Sequence, residues 1–113
     1  MQYVNRYAFI LRPKGPMLDW IQSLPEGNAF SLAEIEQQDH NVYLIEESDK
    51  PEFINDYLRE NFKDFFLEHL SEWHTDDAHF PEISYENFCN WFEVVESTAV
   101  IDLGKSKLLT EEI

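Results

Sequence analysis

Basic residues are scarce in this chain. Eight lysines and arginines stand against 23 aspartates and glutamates, a formal net charge of -15. Holding phosphates takes clustered Lys and Arg, so the shortage argues against direct binding of nucleic acid. Cysteine is scarcer still: Cys89 alone excludes an internal disulfide and fits a reducing cytoplasm. No apolar run reaches the roughly 18 residues of a membrane span. The stretch from Met1 to Pro16 lacks a signal peptide's extended apolar segment and small-residue cleavage site. A cytoplasmic location is therefore expected. With three glycines in all, Gly15 has no glycine-rich phosphate loop around it.

What is present is apolar and aromatic. A 43% hydrophobic and 15% aromatic content excludes simple disorder despite the charge. The 113 residues suit one domain with a modest core. We place that domain at residues 1–104, with 105–113 as a loosely attached tail. The charge is uneven. Residues 1–14 hold Arg6, Arg12 and Lys14 and no acid, whereas residues 64–104 hold ten acids and no Lys or Arg.

Tyr7–Leu11 reads as a strand buried on both faces. Arg12 to Pro16 breaks it, and Pro16 opens a helix carrying Met17, Leu18, Trp20, Ile21 and Leu24. Ser31 and Glu34 form a capping-box pattern, with Phe30 and Ile35 as a hydrophobic staple, predicting a short helix over 32–38. Val42–Ile45 is the second strand. Asp49, Glu52 and Pro51 open a long acidic helix. Ser84 caps a further helix with Tyr85, Phe88, Cys89 and Phe92, and residues 93–103 read as one last strand. The expected fold is α+β: a small mixed three-stranded sheet with helices packed on it, a ferredoxin-like-type sandwich in the order β-α-α-β-α-α-α-β. Its first two strands are expected to be parallel.

Glu52, Asp56, Glu60, Asp64, Glu68 and Glu72 recur every four residues along the acidic helix. Like charges at this spacing cost a few tenths of a kcal/mol per pair. The helix's apolar residues fall in two sets. Phe53, Ile54, Tyr57 and Leu58 point one way; Phe62, Phe65, Phe66, His69, Leu70 and Trp73 centre roughly 100° further round. This predicts a break near Arg59–Asn61. Arg59 and Lys63 are placed to relieve some repulsion through Asp56 and Glu60.

Chemistry-bearing residues form few patterns. The ladder's rise of about 6 Å per four residues is of the same order as phosphate spacing along a nucleic-acid strand. Such a surface either imitates nucleic acid and occupies a basic protein or is a solvated face. Arg12 and Lys14 flank a helix start that favours anions, with Trp20 one turn in; the alternative is that both cations pair with nearby acids. His69, Glu72, His74, Asp76, Asp77 and His79 gather potential metal donors. The five-residue histidine spacing is not one helix face, so no metal site and no cofactor is expected, and His69 reads as a packed, hydrogen-bonded core residue. Cys89 reads as core rather than nucleophile, and no catalytic residue stands out.

Asn5-Arg6, Arg12 to Pro16, Asp19-Trp20 and Leu24-Pro25 resemble the opening of a family of short, acidic, uncharacterised bacterial proteins. Phe66, Leu70, Trp73, Thr75-Asp76, Pro81, Phe88, Trp91-Phe92, Val100 and Asp102-Leu103 extend the resemblance over most of the chain. It implies a free-standing cytoplasmic domain and no particular activity. It also points to Arg12, Lys14, Asp19, Trp20, Trp73 and Trp91 as a shared cluster, either a ligand site or the fold's own scaffold. Together these readings favour a non-enzymatic binding or interaction domain. An immunity- or DNA-mimic-type protein that neutralises a basic partner is one alternative. A small anionic-ligand binder or enzyme using Arg12, Lys14 and Trp20 is another. An exposed edge strand would also support a dimer.

Overall fold

Alternation of burial along Arg6–Pro13 organises the sheet. Phe9 and Leu11 are buried, whereas Ala8 and Ile10 on the other face are half-buried. A computed structural model of the chain describes residues 1–25, 30–38, 40–50 and 52–113. Its elements are β1 (Gln2–Val4), β2 (Arg6–Pro13), α1 (Gly15–Ser23), α2 (Leu32–Glu36), β3 (Tyr43–Glu46), α3 (Phe53–Trp73), a 3-10 turn at Asp77–His79, α4 (Tyr85–Trp91), β4 (Phe92–Ser97) and β5 (Val100–Asp102). The fold is α+β, with a three-stranded antiparallel sheet in the order β3-β2-β4 and a two-stranded ribbon β1-β5. None of the helices is long and apolar enough to cross a membrane among the described residues.

Several sequence expectations need correction. β2 and β3 are antiparallel, not parallel, with Arg6 opposite Glu46 and Phe9 opposite Tyr43. The single-helix crossover that makes strands parallel does not apply, because two helices lie between them. β2 is buried on one face only: Tyr7 and Phe9 pack on α3 and Leu11 lies beside Met17 and Ile21 of α1, all from the same face. The last strand is two strands. The Ser97 hydroxyl donates to the Ala99 carbonyl (3.1 Å) and accepts from the Ala99 N–H (3.2 Å), occupying backbone groups that would continue the ladder. Between the two registers, Asn5, Arg6 and Tyr7 stand opposite Thr98 and Ala99, a bulge-like offset. β1 itself was not anticipated.

The caps fare better. The Ser31 hydroxyl accepts from Glu34 N–H and the Glu34 carboxylate accepts from Ser31 N–H, a complete capping box. Ser84 caps α4 by accepting from Asn87 N–H at 3.1 Å. The long helix starts at Phe53, with Glu52 rather than Asp49 at its N-cap; Pro51 lies outside the described residues. Residues 105–113 are exposed and carry no helix or strand.

The predicted break near Arg59–Asn61 does not occur: α3 is one helix of 21 residues. Its buried residues Ile54, Leu58, Phe66 and Leu70 fall on one row of four-residue spacing, with Phe62 half-buried between them. Each step advances about 40°, so this row winds about 160° round the helix. The protein follows it with two walls. The sheet supplies one: Tyr7 meets Phe53, and Phe9 meets Tyr57 and Phe65. The start of β4 and α4 supply the other: Phe66 touches Phe88, Trp91 and Phe92 at ring-centroid distances of 5.7–5.9 Å. A helix lying in a trough can bury two apolar directions without bending.

Phe66 and Leu70 are 0% exposed, the most enclosed side chains of this trough. Phe66→Ala should lower unfolding free energy by about 3–5 kcal/mol in urea titration. The neighbouring Leu67→Ala, at a position 39% exposed, should cost about 1 kcal/mol or less. Equal losses from both would contradict the trough.

Candidate functional site

The basic turn is built into the scaffold. Lys14 caps α1, with the helix beginning as Leu18 N–H reaches Lys14 carbonyl at 3.1 Å. Its own N–H donates to the Trp91 carbonyl at 2.8 Å, and its Nζ donates to the Cys89 carbonyl at 3.2 Å. Both acceptors are carbonyls of the last turn of α4, where a cation offsets unpaired backbone charge. Trp20 is tied as well: its Nε1 donates to the His79 carbonyl at 2.9 Å, and its ring lies 6.1 Å from both Phe80 and Trp91.

The six residues of the suggested cluster therefore divide. Lys14, Trp20 and Trp91 meet where α1 packs on α4. Arg12 and Asp19 are exposed, Arg12 opposite Glu93 in the sheet register. Trp73 stands elsewhere, at the end of α3 against Phe30 (5.7 Å). It borders a small cleft of about 60 Å³, walled by Met17, Ile21 and Phe92 and rimmed by His69 and Glu72. None of Arg12, Lys14, Asp19, Trp20 and Trp91 lines this cleft. Its size suits a few waters. His69 is packed and hydrogen-bonded as expected, with Nδ1 2.8 Å from the Phe65 carbonyl and its ring against Phe92, but it is half-buried at the edge of the core and not within it.

The acid ladder is fully displayed. Glu52, Asp56, Glu60, Asp64, Glu68 and Glu72 are all exposed. They sit two positions out of phase with the buried row, so the two rows lie on roughly opposite sides of α3 at every turn. The ladder winds with the core, about 200° from end to end. Arg59, expected to relieve part of the repulsion through Asp56, is drawn toward α4. Its guanidinium lies 5.5 Å above the Tyr85 ring, and the Arg6–Glu46 ion pair and the His79–Asp76 contact lie off the ladder. Glu68 accepts long hydrogen bonds from the Tyr43 hydroxyl (3.3 Å) and Asn41 (3.4 Å).

Cys89 corrects the expectation of a core thiol: it is exposed. Phe88 takes the buried position of that helical turn. Burial first, then a hydrogen bond with Cys89, push the Tyr85 phenol above its ordinary pKa, while Arg59 opposes the shift.

The loop after α3 holds the feature that spacing concealed. His74 caps α3, the chain turns at Asp76, and the 3-10 turn brings His79 back. The His74 and His79 rings stand 5.1 Å apart. A five-residue spacing is unproductive on a helix but closes readily across a turn. The polar run from His74 to His79, ended by Phe80-Pro81, marks a loop in the sequence, and Asp76 shapes it by accepting from Ala78 N–H.

The chain matches no family model, no curated protein and no solved structure. Its site is therefore read from its own geometry.

Tyr43 connects the ladder to the sheet. Burial is the main cause raising its phenol above the ordinary value; the Glu68 charge adds to this, against a lowering hydrogen bond from Asn41. A raised phenol favours the neutral form in the folded state. Its stabilising contribution is whole below the unfolded value near 10 and is lost as pH rises through the folded value. Thermal unfolding between about pH 9 and about pH 11 should show Tyr43→Phe losing less stability than wild type. Parallel losses would contradict this.

Proposed function

We propose that this chain is a small non-catalytic binding domain whose acidic α3 surface docks a basic protein in the cytoplasm. One observation carries the reading: all six ladder carboxylates are exposed, on a helix whose opposite side is anchored in the core. Repulsion at four-residue spacing disfavours the helix, so holding these acids in place relies on the trough packing. The sandwich, whose layering we liken to the ferredoxin-like type, acts as the scaffold. The resemblance to short acidic bacterial proteins is compatible with this use.

The DNA-mimic version requires carboxylates that face one way, and the 200° winding spreads them, so a broad electrostatic surface is favoured over strict mimicry. The anionic-ligand alternative draws less support. Lys14 Nζ and the Trp20 indole N–H already donate to backbone carbonyls, and the cleft excludes Arg12 and Trp20.

The test combines salt with charge removal. Asp56→Asn, Glu60→Gln and Asp64→Asn together should abolish capture of a basic partner seen at about 50 mM salt, and about 500 mM salt should release it from wild type. The same triple variant should be more stable by about 1 kcal/mol, since several i,i+4 repulsions disappear. A partner indifferent to salt and to these substitutions would overturn the reading.

A further inference from the structure

We propose that His74, Asp76 and His79 form a binding site for a divalent transition-metal ion of the zinc type. One nitrogen of each imidazole and one carboxylate oxygen lie within 4.8 Å of one another. His79 Nε2 is 3.7 Å from Asp76 Oδ2. Ligands at about 2.0–2.2 Å from a tetrahedral zinc are about 3.4 Å apart. The observed separations therefore close onto an ion through small side-chain rotations.

The loop is prepared for this role. Asp76 Oδ1 accepts from Ala78 N–H at 3.0 Å and caps the 3-10 turn, which directs Oδ2 toward His79. That division matches a ligating carboxylate held by an outer hydrogen bond. The His79 backbone is anchored by the Trp20 indole, and Phe80 packs on the same ring. All three donors lie within six residues, so little chain entropy opposes closure. His74 sits at the C-terminal end of α3, where unpaired carbonyls favour positive charge. Nearby Asp77 adds to that potential.

The donor set selects the metal class. Two imidazoles with one carboxylate suit zinc and neighbouring first-row ions, whereas calcium and magnesium prefer all-oxygen sets. The side chains of His79 and Asp76 remain 62% and 57% exposed, so the remaining coordination positions face solvent.

Isothermal titration of the chelator-treated full chain with zinc chloride tests the site, with cobalt absorption in the visible as a second readout. One ion should bind per chain and raise the melting temperature. His79→Ala and Asp76→Asn should each weaken zinc affinity at least about tenfold and remove the cobalt band. Asn keeps the cap acceptor at 76, and both positions are exposed, so metal-free melting temperatures should stay close to wild type. His40→Ala and Cys89→Ser should leave affinity unchanged. Absence of stoichiometric zinc binding overturns the proposal. So does binding that survives His79→Ala and Asp76→Asn but fails in His40→Ala or Cys89→Ser.

Discussion

The packing of one winding row on α3 decides most of this structure. Ile54, Leu58, Phe62, Phe66 and Leu70 lie four residues apart, and no single flat surface can cover a row that turns as it rises. The protein answers with two walls, the sheet along Phe53, Tyr57 and Phe65 and the α4–β4 corner along Phe62 and Phe66. Phe66 is fully enclosed, in contact with Phe88, Trp91 and Phe92 of the second wall. The other elements serve that arrangement. Lys14 fixes the end of α4, Trp20 fixes the loop after α3, and β2 holds Phe9 and Leu11 beneath the helix.

The same geometry shapes the surface. Acids two positions from the buried row must point outward along the whole helix. The chain thus displays a continuous acidic spiral without bending α3, and the favourable burial inside offsets the repulsion outside. Under the proposed function, stability and partner binding pull in opposite directions at Asp56, Glu60 and Asp64, as they commonly do at functional surfaces.

Local chemistry was legible in the sequence. The Ser31–Glu34 box, the Ser84 cap and the His69–Phe65 contact rest on short-range hydrogen bonds that the residues themselves specify, and the Pro16 helix start rests on proline's fixed φ. Features set by distant partners were not. Two apolar directions on α3 looked like a break, because the α4 wall is invisible from the helix alone. The direction of β3 depended on how two short helices return the chain. Lys14 and Trp20 stand out in the sequence, but their acceptors are backbone carbonyls of Cys89 and His79, which leave no side-chain signature. The His74–Asp76–His79 cluster has no helical spacing to reveal it, because its side chains converge across a turn.

Residue-resolved amide hydrogen exchange along α3 tests the central claim most directly. An unbroken helix held in a two-walled trough predicts that the amides of Arg59, Glu60 and Asn61 are protected as strongly as those of Phe65 to Leu70, all opening with global unfolding. Fast exchange confined to Arg59–Asn61, with protection on either side, would show two helical segments and contradict the account.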